Sequence, residues 1–253
     1  MEFSSNVAKL KLSATIAVSS LAKRLAGEGR DIVNLSAGEP DFDTPGFVSQ
    51  AAIDGIRQGR TRYTPVAGLP ELRSAAAAYL SRTFDVEADP EGVVVGTGAK
   101  QSLFNACFAT FGPGDEVMIA APYWTTYPEI VTLARAEPVF VQGDEARDFR
   151  LTRTDLDNAR TDRTRGLILC SPSNPTGTVY SLEELREVAE WCRDNDVVLV
   201  ADEIYRAIYY GDDASRAPGI LDLAPESRGH CVLIDGASKA FAMTGWRIGF
   251  SYS

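Results

Sequence analysis

Histidine is nearly missing from this chain: His230 is the only one in 253 residues. Cysteine is sparse, and Cys107, Cys170, Cys192 and Cys231 stand far apart with no Cys-x-x-Cys pair. A zinc site draws on closely spaced His and Cys, so no metal site is expected, and the cysteines read as reduced, mostly buried thiols. Positive charge is also short, with 25 Lys and Arg against 35 Asp and Glu, a net charge of −10 and a pI near 4.7. That balance argues against nucleic acid or an anionic membrane surface as partner, because both want clustered Lys and Arg. No apolar run approaches the ~18 residues of a membrane helix. The first 27 residues hold Ser, Lys and a single acid, Glu2, a trace of transit-peptide composition, but they lack an apolar h-region and have little Arg. The cytoplasm is the expected compartment, and a small soluble molecule the expected substrate.

With 45% hydrophobic and 24% charged residues, the chain has the material for a sizeable core. Short β-branched runs at Val93–Val95, Val117–Ala121, Val139–Val141, Leu167–Cys170, Val197–Ala201 and Val232–Ile234 read as buried strands. Helical stretches alternate with them at Glu71–Phe84, Lys100–Phe111 and Leu182–Asp194, the last opened by Ser181 with Glu184 three residues on, a capping box. Alternation of this kind predicts an α/β sheet. No repeat or low-complexity tract interrupts it, and Asp85–Gly92 is too short for a flexible linker, so one main domain preceded by an N-terminal arm is expected.

The polar clusters fall just past the ends of the predicted strands, where an open α/β sheet binds its ligand. Gly96-Thr97-Gly98-Ala99-Lys100 follows a strand and opens a helix, so its N–H groups can hold a phosphate; an ordinary strand-to-helix turn is the plainer alternative. The segment fails both the Walker A spacing and the dinucleotide fingerprint, whose third glycine is replaced by Gln101. Ser171-Pro172-Ser173-Asn174-Pro175-Thr176-Gly177 is either a turn that aims the Asn174 side chain at a ligand or simple turn chemistry. Asp202 follows the apolar run Val197–Ala201, and a carboxylate at the end of a buried strand needs a cation or donor, whether from a ligand or from a salt bridge or helix cap.

The segment Ser238-Lys239-Ala240-Phe241-Ala242-Met243-Thr244-Gly245-Trp246-Arg247-Ile248-Gly249 sets an amine and a guanidinium eight residues apart around an apolar turn. An amine in a partly apolar pocket has a lowered pKa and becomes a Schiff-base nucleophile, and Arg offers a phosphate a bidentate fork. A solvated loop lysine is the alternative.

In that order along the chain, Lys11–Val18, Ala37-Gly38-Glu39-Pro40-Asp41-Phe42, Tyr63-Thr64-Pro65-Val66-Ala67-Gly68, Pro122-Tyr123-Trp124, Asn174-Pro175-Thr176-Gly177 and Lys239–Gly249 resemble the fold-type I pyridoxal phosphate enzymes. The resemblance is strongest to class I aminotransferases of the bacterial aspartate or prephenate kind. It implies a three-layer α/β/α sandwich with a mainly parallel sheet, pyridoxal 5'-phosphate as cofactor, amino acid and 2-oxo acid substrates, and a homodimer. Residues 1–40 would form the N-terminal arm and part of a small domain, and 41–253 the large, cofactor-binding domain.

By the same resemblance Lys239 forms the Schiff base with the cofactor aldehyde and then serves as general base. Asp202 pairs with the pyridine nitrogen, and Tyr205 and Asn174 donate to the phenolate oxygen. Arg247, Ser238 and the turn Gly98-Ala99-Lys100 hold the phosphate, with Tyr63 reaching in from a second subunit. Trp124 stacks on the ring, and Gly38, Trp124 and Asn174 line the substrate site. Lys11 is a candidate for a substrate's distal carboxylate, the alternative being an exposed arm lysine. Each assignment agrees with side-chain chemistry: carboxylate to pyridinium, hydroxyl and amide to phenolate, guanidinium to phosphate, indole to a π face.

The family continues well past the Arg247 motif into a small domain that clamps the substrate carboxylate, so the rest of that domain is expected to be missing here. The leading expectation is transamination from aspartate or glutamate to a 2-oxo acid. A lyase or synthase on the same scaffold, and a truncated cofactor-binding remnant, stand as alternatives.

Overall fold

A computed structural model describes residues 3–10, 14–36, 38–211 and 215–253. In chain order, helices α1 (Ala14–Gly27), α2 (Gly46–Arg57) and α3 (Pro70–Phe84) precede β1 (Val93–Thr97) and α4 (Ala99–Thr110). Then come β2 (Glu116–Ala121), α5 (Thr126–Leu133), β3 (Glu137–Gln142), α6 (Arg153–Ala159) and β4 (Thr164–Cys170). The chain closes with α7 (Leu182–Asp194), β5 (Val198–Asp202), β6 (Cys231–Gly236), α8 (Ala237–Ala240) and β7 (Ile248–Tyr252).

The strands form one seven-stranded sheet in the order β1-β7-β6-β5-β4-β2-β3. Pairings from β3 through β2, β4 and β5 to β6 are parallel, and β7 runs antiparallel between β6 and β1. Strand alternation sorts the side chains into two cores. Leu167 and Leu169 of β4, with Leu199 and Ala201 of β5, pack on Leu80 and Phe84 of α3, Leu156 of α6, and Leu185, Val188 and Trp191 of α7. Ile168 and Cys170 of β4, with Val200 of β5 and Ile234 of β6, pack on Leu103 and Cys107 of α4 and Ile130 and Val131 of α5. Helices thus cover both faces of a mainly parallel sheet, the expected three-layer α/β/α sandwich.

Central strands buried on both sides read as continuous apolar runs, and β2, β4 and β5 are such strands. The expectation of burial fails in part for β1 and β3, which lie at the two sheet edges, where Val94 and Phe140 are exposed. The fifth strand is shifted by one residue. Val197 lies in the turn that closes α7, its N–H donating to Cys192 O at 2.8 Å, and β5 runs on to include Asp202. Both halves of the capping box at Ser181 and Glu184 are formed. Cys107, Cys170 and Cys192 are buried and Cys231 partly so, all as free thiols.

Leu185 is 2% exposed and Leu182, one turn earlier on α7, is 45% exposed. Leu185→Ala should lower unfolding stability by about 2–5 kcal/mol, and Leu182→Ala should stay within about 0.5 kcal/mol of the parent. Urea denaturation midpoints of the two variants check this; equal shifts would contradict the assigned face of α7.

Candidate active site

Asp202 is the last residue of β5, in register with Cys170 at the end of β4. Alternation puts it on the same sheet face as Val200, toward α4 and α5, and it is 4% exposed. Its carboxylate accepts from the Tyr127 hydroxyl at 2.8 Å and from the Ile204 N–H at 3.3 Å. No Lys or Arg among the described residues pairs with it. Burial pushes the carboxyl up to about 6, the two hydrogen bonds pulling it down and the nearby Asp235 adding to the rise. The result is a buried carboxylate that receives only neutral donors.

Three residues on from Asp202, the Tyr205 hydroxyl accepts from Asn174 Nδ2 at 3.2 Å, which joins the turn after β5 to the loop after β4. Burial raises this phenol to about 12. Lys239 lies on the short α8 directly after β6, and its amine sits 5.7 Å from the Tyr205 ring centroid. The amine donates to Gly38 O at 2.9 Å. Burial lowers its pKa, with Glu39 opposing and Arg247 adding to the fall. Ser238, beside it, is buried.

The third part of the site comes from close backbone approach. Gly98 caps α4 at φ 81°, a conformation side chains rarely adopt, and a methyl group there would overlap the Arg247 guanidinium. Gly249 of β7 lies against Ala99 N in the same way, so only glycine lets β7 carry Arg247 up to the start of α4. The N–H groups of Ala99 and Lys100 open that helix, where no intrahelical acceptor precedes them. The Arg247 guanidinium donates to Thr244 O at 2.8 Å. The Lys100 amine lies 4.7 Å from the Trp124 ring centroid, its pKa lowered by burial and then by Arg247. Trp124 packs edge-on against Tyr127 at 5.6 Å, and Tyr127 leads back to Asp202. Side-chain and backbone contacts therefore connect Lys239 to Tyr205 and Asn174, Asp202 through Tyr127 to Trp124 and Lys100, and Arg247 to the Gly98-Ala99 turn, all at the strand ends.

Gly38 belongs to this group through its carbonyl. The segment from Gly38 to Thr44 straps the lysine loop: the Thr44 hydroxyl donates to Ala242 O at 2.7 Å and accepts from Trp246 Nε1 at 2.9 Å. The Thr244 hydroxyl donates to Glu39 at 2.9 Å. Tyr63 is not brought in; its side chain is fully exposed. Lys11 and Ala37 lie outside the described residues. Tyr127 was not legible as a site residue, since nothing in Thr125-Thr126-Tyr127-Pro128 marks its hydroxyl as the donor to Asp202.

The family description "Aminotransferase class I and II" matches residues 30–253, and the chain belongs to that family. It is 46% identical to a probable aspartate/prephenate aminotransferase of Rhizobium leguminosarum bv. phaseoli over 97% of its own length and 61% of that protein's. It is 42% identical to an aspartate aminotransferase of Geobacillus stearothermophilus over 99% of its length and 63% of that protein's. Among solved structures, the aspartate aminotransferase of Thermus thermophilus with maleate superposes with a TM-score of 0.92 at 41% identity, covering all of this chain and 65% of that one. The chain thus spans somewhat under two thirds of the length of these relatives.

A carboxyl raised from 3.8 to about 6 binds its proton more tightly in the folded state. Its contribution to stability is complete below the unfolded value and is lost as pH rises through the folded value. Asp202→Asn keeps an acceptor for Tyr127 and Ile204 without the buried charge. Without added ligand, it should be more stable than the parent by up to about 3 kcal/mol at pH 8, the gap closing through pH 6 and vanishing below about pH 4. Urea midpoints at the three pH values measure it, and a gap that does not change with pH would refute the buried charge.

Proposed function

We propose that this chain carries the cofactor and reaction centre of a pyridoxal phosphate-dependent aminotransferase, with aspartate or glutamate as donor and a 2-oxo acid as acceptor. The observation that carries the reading is the pairing of two opposite needs at the ends of adjacent strands β5 and β6. Asp202 is a buried carboxylate without a cation, and Lys239 is a half-buried amine held low in pKa. Family membership and relatives named as aspartate and aspartate/prephenate aminotransferases support it.

The residues fit the cofactor. A pyridinium nitrogen would supply the cation Asp202 lacks; Arg247, the Ser238 hydroxyl and the Gly98-Ala99-Lys100 turn, through the N–H groups of Ala99 and Lys100, suit a phosphate. Tyr205 and Asn174 suit a phenolate oxygen, and the Trp124 indole suits a ring face. When bound, pyridoxal phosphate supplies an electron-withdrawing ring that makes an amino acid's Cα proton removable. Lys239 Nζ moves that proton, burial lowering its pKa below that of an ordinary lysine and so favouring the neutral amine. Gly38, Trp124 and Asn174 line the substrate, and Lys11 is assigned to a distal carboxylate.

In this reading residues 1–40 are the N-terminal arm and part of a small domain, and 41–253 the large domain. Tyr63 completes the phosphate site of a second subunit in a homodimer, and the exposed Phe42, Phe47, Tyr63 and Val66 offer that subunit an apolar surface. The cytoplasm is the assigned compartment; no helix among the described residues is long and apolar enough to cross a membrane.

The visible absorption spectrum with pyridoxal phosphate tests the proposal. A band that bleaches when glutamate or aspartate is added should appear in the parent and be absent from Lys239→Ala. Asp202→Ala should slow the bleaching by about a hundredfold or more. A Lys239→Ala protein with an undiminished band and unchanged bleaching would sink the assignment.

A further inference from the structure

On the sheet face opposite Asp202 lies a second buried charge cluster that the proposed chemistry does not use. Asp235 alternates with Leu233 on β6 and so points toward α3. Its carboxylate accepts from Arg206 Nη2 at 2.5 Å and from the Gly236 N–H at 2.7 Å. Arg206 is 1% exposed, its guanidinium 4.5 Å from the Phe84 ring centroid and within 3.2 Å of the Tyr79 hydroxyl. Glu203 stands 3.8 Å away, with its other oxygen accepting from the Ile220 N–H at 2.6 Å. Among the described residues, Arg206 Nε and Nη1 and Glu203 Oε2 have no hydrogen-bond partner.

An ion pair this buried, with donors left over, is a poor way to gain stability; apolar residues of similar volume do as well or better. Its position explains it better. Arg206 immediately follows Tyr205, and Asp235 ends the strand that turns into Ser238 and Lys239. Tyr79, held by Arg206, packs edge-on against Phe241 at 5.7 Å, just beyond Lys239. Two loops of the site are thus tied together from beneath.

We propose that Arg206 and Asp235 are a positioning pair whose buried ion pair locks the Tyr205 turn to the end of β6 and so fixes the Lys239 amine against the Tyr205 ring. Its geometric content stands without the cofactor; its catalytic consequence rests on the proposed function. Breaking the pair lets the lysine loop move outward and its amine gain water, which raises the amine's pKa toward the ordinary lysine value.

The pH profile of Lys239 acylation, read by mass spectrometry on the full chain without cofactor, tests it. Arg206→Met, Asp235→Asn and the double variant should raise the labelling midpoint by about one unit. Arg206→Lys, which keeps a cation opposite Asp235, should hold the midpoint close to the parent's. Glu116→Gln, which breaks the Arg163–Glu116 pair at the other end of the sheet, should leave it unchanged. Should a single variant not fold, the double variant, which leaves neither member of the pair facing an empty partner and takes a shared cation only from Glu203, carries the comparison. A folded double variant with the parent's midpoint, or an equal shift in Glu116→Gln, would overturn the pair's role. A parent chain that forms no visible band with pyridoxal phosphate overturns the proposed function instead, and the labelling result stands apart from it.

Discussion

A carboxylate held dry at the end of a buried parallel strand is the constraint around which this structure is arranged. Asp202 can stay there because Tyr127 and the Ile204 N–H each give it a hydrogen bond, but neither neutralises its charge. Burial, with Asp235 adding to it and the two hydrogen bonds opposing, moves its pKa up to about 6. An isolated site of this kind would be selected away in favour of an apolar residue unless something cationic met it. Tyr127 is in turn held by α5 and Trp124, and Trp124 by Lys100, so the packing of two helices is organised around one charged oxygen.

The sheet turns this local constraint into a site. Parallel β4, β5 and β6 end side by side, and the residues just past them, Asn174, Tyr205 and Lys239, are brought within reach of one another by register rather than by sequence proximity. Antiparallel β7 brings the last contributor. Gly249 approaches the start of α4 so closely that a side chain there would separate the two, and Arg247 owes its place beside Gly98 to that approach. The grouping of these residues therefore depends on two glycine backbones as much as on its functional side chains.

Much of this was legible in the residues. Central strands announced themselves as apolar runs, and the capping box marked the start of α7 to the residue. The site motifs fell past strand ends, where a parallel sheet collects ligands. What was not legible depended on tertiary neighbours. Edge exposure of β1 and β3 follows from strand order, which composition does not encode. Helix α5 escaped notice because Pro128 sits in its first turn, where proline is tolerated but reads as a breaker. Tyr127 was missed for a related reason: a tyrosine hydroxyl becomes a carboxylate donor only when another element delivers the carboxylate. Arg206 and Asp235, 29 residues apart, give no sequence sign of pairing.

Charge on the two sheet faces is handled in opposite ways, and the difference bears on what each cluster is for. Toward α5, the anion is left without a cation and receives only neutral donors. Toward α3, Asp235 is given a full guanidinium, and the same guanidinium is shared with Glu203, whose carboxyl burial pushes up to about 8. A cluster that satisfies its own charge has nothing to offer a ligand, so its use must lie in geometry. A cluster that does not satisfy its charge is poor structural material and good binding material. Only β5, β6 and the turn after Asp202 separate the two, so fixing the one fixes the floor on which the other stands.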